Sequence, residues 1–107
     1  MKKKQENVTA VIELKITPAK DTGFAKIAQK IAKFPQVEAC FLMSGGYDLL
    51  VFARGDSLQD VAHFVAAELS TLDGVLSTAT HFMLKTYKAQ GVFAEGFTED
   101  DRLSVSP

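Results

Sequence analysis

The chain has 107 residues, enough for one domain and too few for two. Its 47% hydrophobic and 23% charged residues, without a low-complexity tract, are a globular composition and exclude a disordered body. Lys and Arg number 12 against 13 Asp and Glu, and a net charge of -1 provides no broad basic field, so no direct nucleic acid partner and no membrane partner is expected.

The single cysteine, Cys40, cannot form an internal disulfide, and there is no Cys-x-x-Cys pair or Cys/His cluster. No metal site and no cofactor are expected, and this usage suits a cytoplasmic protein. Residues 1–7 form a basic N-terminal extension that begins like the n-region of a signal peptide. Glu13 and Lys15 interrupt the apolar residues that follow, so no export signal is expected. No stretch reaches the ~20 apolar residues of a membrane helix.

Residues 8–17 alternate, with Val8, Ala10, Ile12, Leu14 and Ile16 on one side and Thr9, Glu13, Lys15 and Thr17 on the other, which is the period of a strand. Pro18 breaks it. Asp21 or Thr22 is placed to cap a helix in which Phe24, Ile27, Ala28, Ile31 and Phe34 recur opposite Lys26, Lys30 and Lys33. Pro35 stops that helix. Two apolar runs follow, residues 37–43 and 49–53, joined by Ser44-Gly45-Gly46-Tyr47-Asp48, whose paired glycines suit the positive φ of a tight hairpin. Ser57 with Asp60 resembles a weak capping box ahead of a second amphipathic helix marked by Leu58, Val61, Ala62, Val65, Leu69 and Leu72 and ended by Asp73-Gly74. Residues 75–87, rich in β-branched and aromatic residues, read as the fourth strand. Residues 89–107 are an acidic tail expected to be loosely ordered at its end.

The order β-α-β-β-α-β within about eighty residues specifies an α+β, ferredoxin-like βαββαβ fold, a four-stranded antiparallel sheet with two helices on one face. Strict alternation places Cys40, Leu42, Leu50, Phe52, Phe82 and Leu84 away from the face that carries Phe41, Val51 and Met83, which makes both sheet faces apolar. A second copy laid face to face is the economical cover, so a homodimer is expected.

Little in the sequence points to catalysis. His63 and His81 lack a neighbouring nucleophile or orienting carboxylate in sequence and read as structural or solvent-facing, Cys40 reads as a small buried hydrophobe, and Lys2, Lys3 and Lys4 read as a solvated terminus. The segment from Ser44 to Asp48 is the informative one. Its glycines leave backbone N–H groups uncovered, Asp48 adds a carboxylate and Tyr47 a ring with a hydroxyl, so a zwitterion finds partners there, although a plain hairpin turn has the same chemistry.

The stretch Val37-Glu-Ala-Cys-Phe-Leu-Met-Ser-Gly-Gly-Tyr-Asp-Leu-Leu-Val, followed by Leu72-Asp-Gly-Val-Leu-Ser-Thr-Ala-Thr, resembles the effector domain of the Lrp/AsnC family of transcriptional regulators, known as RAM, for regulation of amino acid metabolism. The resemblance covers residues 8–88, and Gly-x-Tyr-Asp with Gly-Val-x-x-Thr-x-Thr carries it. It implies a domain of the dimeric α+β barrel type that pairs through its sheets, often assembles further into octamers, and binds amino acids at contacts between dimers. It places ligand contacts at Met43, Gly46, Tyr47 and Asp48 in the hairpin and at Thr78 and Thr80 in the fourth strand, with no catalytic residue. The family's regulators carry a helix-turn-helix of some fifty residues before this domain, whereas only residues 1–7 precede the first strand here, so sequence-specific DNA binding is not carried over. Gly45 stands where the family does not require glycine, which implies a more mobile turn. The resulting expectation is a non-enzymatic, stand-alone module that binds an amino acid, oligomerises and co-assembles with full-length Lrp/AsnC regulators. The competing expectations are a small dimeric α+β barrel enzyme of the monooxygenase kind, using His81 or His63, and a purely structural oligomerisation domain.

Overall fold

Residues 7–94 are described by the computed structural model. Their strands are β1 (Val8–Ile16), β2 (Val37–Leu42), β3 (Leu49–Gly55), β4 (Val75–Phe82), β5 (Lys88–Ala89) and β6 (Val92–Phe93), and their helices are α1 (Ala25–Ala32) and α2 (Leu58–Phe64). The first four strands form one antiparallel sheet in the order β2-β3-β1-β4, the ferredoxin-like arrangement that the alternation of strand and helix periods predicts. The alternating residues of β1 decide where the core sits. Ala10, Ile12 and Leu14 are fully buried with Leu49, Val51 and Ala53 of the paired β3, and against this face pack Ile31 of α1 and Val61 and Phe64 of α2. Phe34 meets Phe64 edge to face, with ring centroids 5.4 Å apart, which ties the two helices together.

Both helices begin and end for local reasons. The cap of α1 is not Asp21 or Thr22: those residues lie in a turn closed by reciprocal Ala19–Gly23 backbone bonds of 2.9 Å, and the helix starts at Phe24 with no side-chain cap. Ser57 does cap α2, its Oγ accepting from Asp60 N at 3.0 Å. The helix runs on as a π-helical turn, Val65–Leu69, in which Ser70 N donates to Val65 O, and Gly74 turns the chain at φ 95. No helix among the described residues is long and apolar enough to cross a membrane.

Two bulges change which residues face the helices. In β2 the register shifts between Val37, opposite Ala53, and Ala39, opposite Phe52, so Cys40 lies opposite the buried Val51 while Phe41 lies opposite Leu50. In β4 the register shifts beside Leu76, so Thr78, Thr80 and Phe82 lie opposite Leu14, Ile12 and Ala10. The strict alternation expected from Val37 and Val75 onward is inverted by one inserted residue in each strand. Cys40 and Phe82 therefore pack against the helix-side core, and the open face carries Val11, Phe41, Leu50 and Phe52, as expected only for the last two. The open face is mixed: Glu13 and His81 meet there at 3.4 Å, and Arg54 pairs with Glu38 at 3.0 Å.

The fourth strand is shorter than expected. β1 begins at Val8, so after Met83 N donates to Thr9 O the chain has run past the strand it pairs with. Residues 88–93 then form a hairpin around Gln90 and Gly91, whose φ values of 51 and 78 are those of a two-residue primed loop. Loose order was expected at the end of the tail of residues 89–107; residues 89–94 are in or beside this hairpin, and residues 95–107 and 1–6 lie outside the described residues.

Candidate functional site

The β2–β3 turn is held from below by β1. Met43 N donates to Asp48 O and Asp48 N to Leu14 O, both at 2.9 Å, while the Asp48 carboxylate accepts from Ile16 N through Oδ2 at 2.9 Å. Lys15 Nζ donates to Gly46 O at 2.9 Å. One acidic side chain thus pins the turn to the central strand, and a lysine covers one of its carbonyls. Gly45, at φ 113, is the residue that needs glycine; Gly46 has no positive φ, and a Cβ there would have open space around it. The mobility expected for the turn on account of Gly45 is opposed by these ties, and the requirement for positive φ falls on one glycine of the pair.

The consequence for chemistry is a ring of uncommitted groups. Among the described residues the N–H groups of Gly45, Gly46 and Tyr47 and the Oδ1 of Asp48 make no hydrogen bond. Met43 is exposed, and Tyr47 and Asp48 are half-buried. Where the turn rejoins the sheet, Leu42 and Leu49 with Thr22, Phe24, Ala25 and Ala28 line an apolar cleft of about 300 Å³. Backbone donors and a carboxylate beside an apolar cleft are the complement of a small amphipathic zwitterion.

Thr78 and Thr80, both half-buried, are on the helix-side face of β4 rather than in the turn. Leu49, Leu14 and Thr78 lie side by side on β3, β1 and β4, so two strand spacings, about 10 Å, separate the turn from the nearer threonine. Within one chain the structure brings together Met43, Gly46, Tyr47 and Asp48, and sets Thr78 and Thr80 apart from them. Lys15, Phe24 and the cleft were missed in the sequence because Lys15 reads as the polar side of a strand and Phe24 as a core position; only the tertiary pairing brings them to the turn.

The other chemically active side chains are dispersed. His81 is on the open sheet face with Glu13, His63 is exposed on α2, and among the described residues no three His, Cys, Asp or Glu side chains are grouped to hold a metal. Burial pushes the Cys40 thiol up from its ordinary pKa, which disfavours the thiolate.

Residues 9–93 match the family model described as the Lrp/AsnC ligand binding domain. The chain belongs to that family. Among curated relatives, the Bacillus subtilis protein called uncharacterized HTH-type transcriptional regulator YugG is 52% identical over 102 residues, 95% of this chain and 61% of that protein. The HTH-type transcriptional regulator LysM of Saccharolobus solfataricus is 30% identical over 83 residues, 78% of this chain and 56% of the relative. The chain therefore spans about three fifths or less of these regulators' length. Among solved structures, the transcriptional regulator NMB0573/L-Met complex from Neisseria meningitidis superimposes with a TM-score of 0.67 at 28% identity, over 83% of this chain and 57% of that one. AsnC of E. coli gives a TM-score of 0.69 at 20% identity, over 78% and 54%, and supports the fold alone. This Lrp/AsnC domain is thus a ligand-binding domain whose homologues are named as transcriptional regulators.

Proposed function

We propose that this Lrp/AsnC domain binds a free L-amino acid at the turn of residues 43–48 and regulates transcription or amino acid metabolism through its assembly state. The observation that carries the reading is the convergence of three free backbone N–H groups and the Asp48 carboxylate beside an apolar cleft. The N–H groups suit the ligand's carboxylate, Asp48 its ammonium, and the cleft an apolar side chain. The Neisseria meningitidis relative solved with L-Met supports an amino acid as the ligand class.

Thr78 and Thr80 join this reading through assembly. A single amino acid is too short to reach from Asp48 to Thr80 across β1, so the two halves meet on one ligand when a second copy supplies one of them. The open sheet face, with Phe41, Leu50 and Phe52, is the surface that pairs two copies into a homodimer. Association of dimers into octamers and co-assembly with full-length Lrp/AsnC regulators complete the proposal, supported by the domain's 52% identity to part of a longer regulator. Its place of action is the cytoplasm, where transcriptional regulators work. A thermal-shift and calorimetric panel of the twenty amino acids tests this: heat and a raised melting point with at least one apolar member are expected, and silence across the panel refutes it.

A further inference from the structure

Lys15 meets the β2–β3 turn from one side only. It alternates along β1 with Leu14 and Ile16, which are buried toward the helices, so its side chain leaves on the open sheet face, and from there Nζ donates to Gly46 O at 2.9 Å. A trans peptide points its carbonyl and the N–H of the next residue in opposite directions. With the Gly46 carbonyl turned to Lys15, the N–H of Tyr47 points to the helix side, where Phe24, Ala25 and Ala28 line the apolar cleft.

Nothing else among the described residues fixes this peptide. Gly46 has no side chain, a Cβ there would meet nothing within 4 Å, and neither Gly46 O nor Tyr47 N has another hydrogen-bond partner. Rotated by half a turn, the same peptide would show its carbonyl oxygen to the cleft, and a carboxylate arriving there would meet a like partial charge in place of a donor. The ammonium also draws charge from the carbonyl it holds, which makes the N–H of that peptide a stronger donor. Lys15 lies outside the lining of the cleft, yet it is the side chain that turns a donor toward it.

We propose that Lys15 is a positioning residue of the amino acid site, holding the Gly46–Tyr47 peptide so that Tyr47 N–H is aimed at the ligand's carboxylate. This rests on the amino acid reading above and adds the group that sets one of its donors. The full chain is tested as Lys15→Met, which keeps the aliphatic stem, and as Lys15→Arg, which keeps the charge. In the free protein the Gly46 carbonyl carbon is expected to lose, in Lys15→Met, the downfield NMR shift of a bonded carbonyl and to regain it in Lys15→Arg. A signal unchanged in Lys15→Met overturns the proposal. In calorimetry the tightest binder of the twenty amino acids, L-Met among them, is titrated beside its carboxamide. Lys15→Met is expected to weaken the amino acid about three- to tenfold and the carboxamide, which lacks the carboxylate, by less, while Lys15→Arg restores the parent affinity. Equal losses for the two compounds, no loss for the amino acid, or no rescue by arginine overturn the positioning role. A panel silent in the parent refutes the amino acid reading, whereas a parent that binds with no response to Lys15→Met refutes the positioning role alone.

Discussion

Asp48 has two roles that can be separated by replacing it in two ways. Its Oδ2 accepts from Ile16 N in a part-buried bond, so removal of the carboxylate leaves a part-buried donor without its protein partner. Hydrogen bonds to charged groups contribute about 1.5–3 kcal/mol, and a 60–100-residue domain loses about 4–8 °C per kcal/mol, so Asp48→Ala is expected to lower the melting point by roughly 6 °C or more. Asp48→Asn keeps a neutral acceptor for Ile16 N and is expected to lose about half as much. For the ligand the two variants are alike, because neither carries the charge that pairs an ammonium. Both are expected to weaken amino acid binding by about ten- to a hundredfold in calorimetry. A parent-like melting point for Asp48→Ala removes the structural role. Parent-like affinity for Asp48→Asn removes the ammonium contact, and this variant still reports on binding if the alanine form does not fold.

Phe52→Glu, placed on the open face away from the helix-side core, is expected to halve the mass seen in light scattering with an unchanged far-UV spectrum, since an unpaired charge buried in an interface costs several kcal/mol; a dimer as tight as the parent refutes the pairing surface. Gly45→Ala is expected to cost about 1–3 kcal/mol in urea unfolding because φ 113 suits glycine alone, while Gly46→Ala stays within about 0.5 kcal/mol, and the reverse order refutes the turn geometry.

The fold was legible because its two periods differ so plainly. The period of two from Val8 to Ile16 and the helical spacing of Ile27, Ile31, Val61 and Leu69 each choose one element, and the order of elements then leaves one compact arrangement. What escaped were features that depend on a single residue's pairing. The bulges beside Glu38 and Leu76 have no composition signature, yet each inverts every later side chain of its strand and moves Cys40, Phe82 and the two threonines to the helix side. Thr22 looked like a cap because the Ala19–Gly23 bridge that takes it into a turn is a backbone event. At the site, the turn residues were legible as one run of sequence, whereas Lys15 and the cleft around Phe24 come from other elements and appear only once the chain is folded.

Those two bulges also bear on how the molecule avoids unwanted company. β2 and β4 are the outer strands of the sheet, and each would otherwise present an unbroken row of backbone donors and acceptors to any passing extended chain. Both rows are interrupted near the start of the strand, one of them at the charged Glu38. A strand adding alongside the first residues of β2 or β4 meets a broken register there, which leaves only the shorter rows of residues 39–42 and 77–82 for sideways pairing.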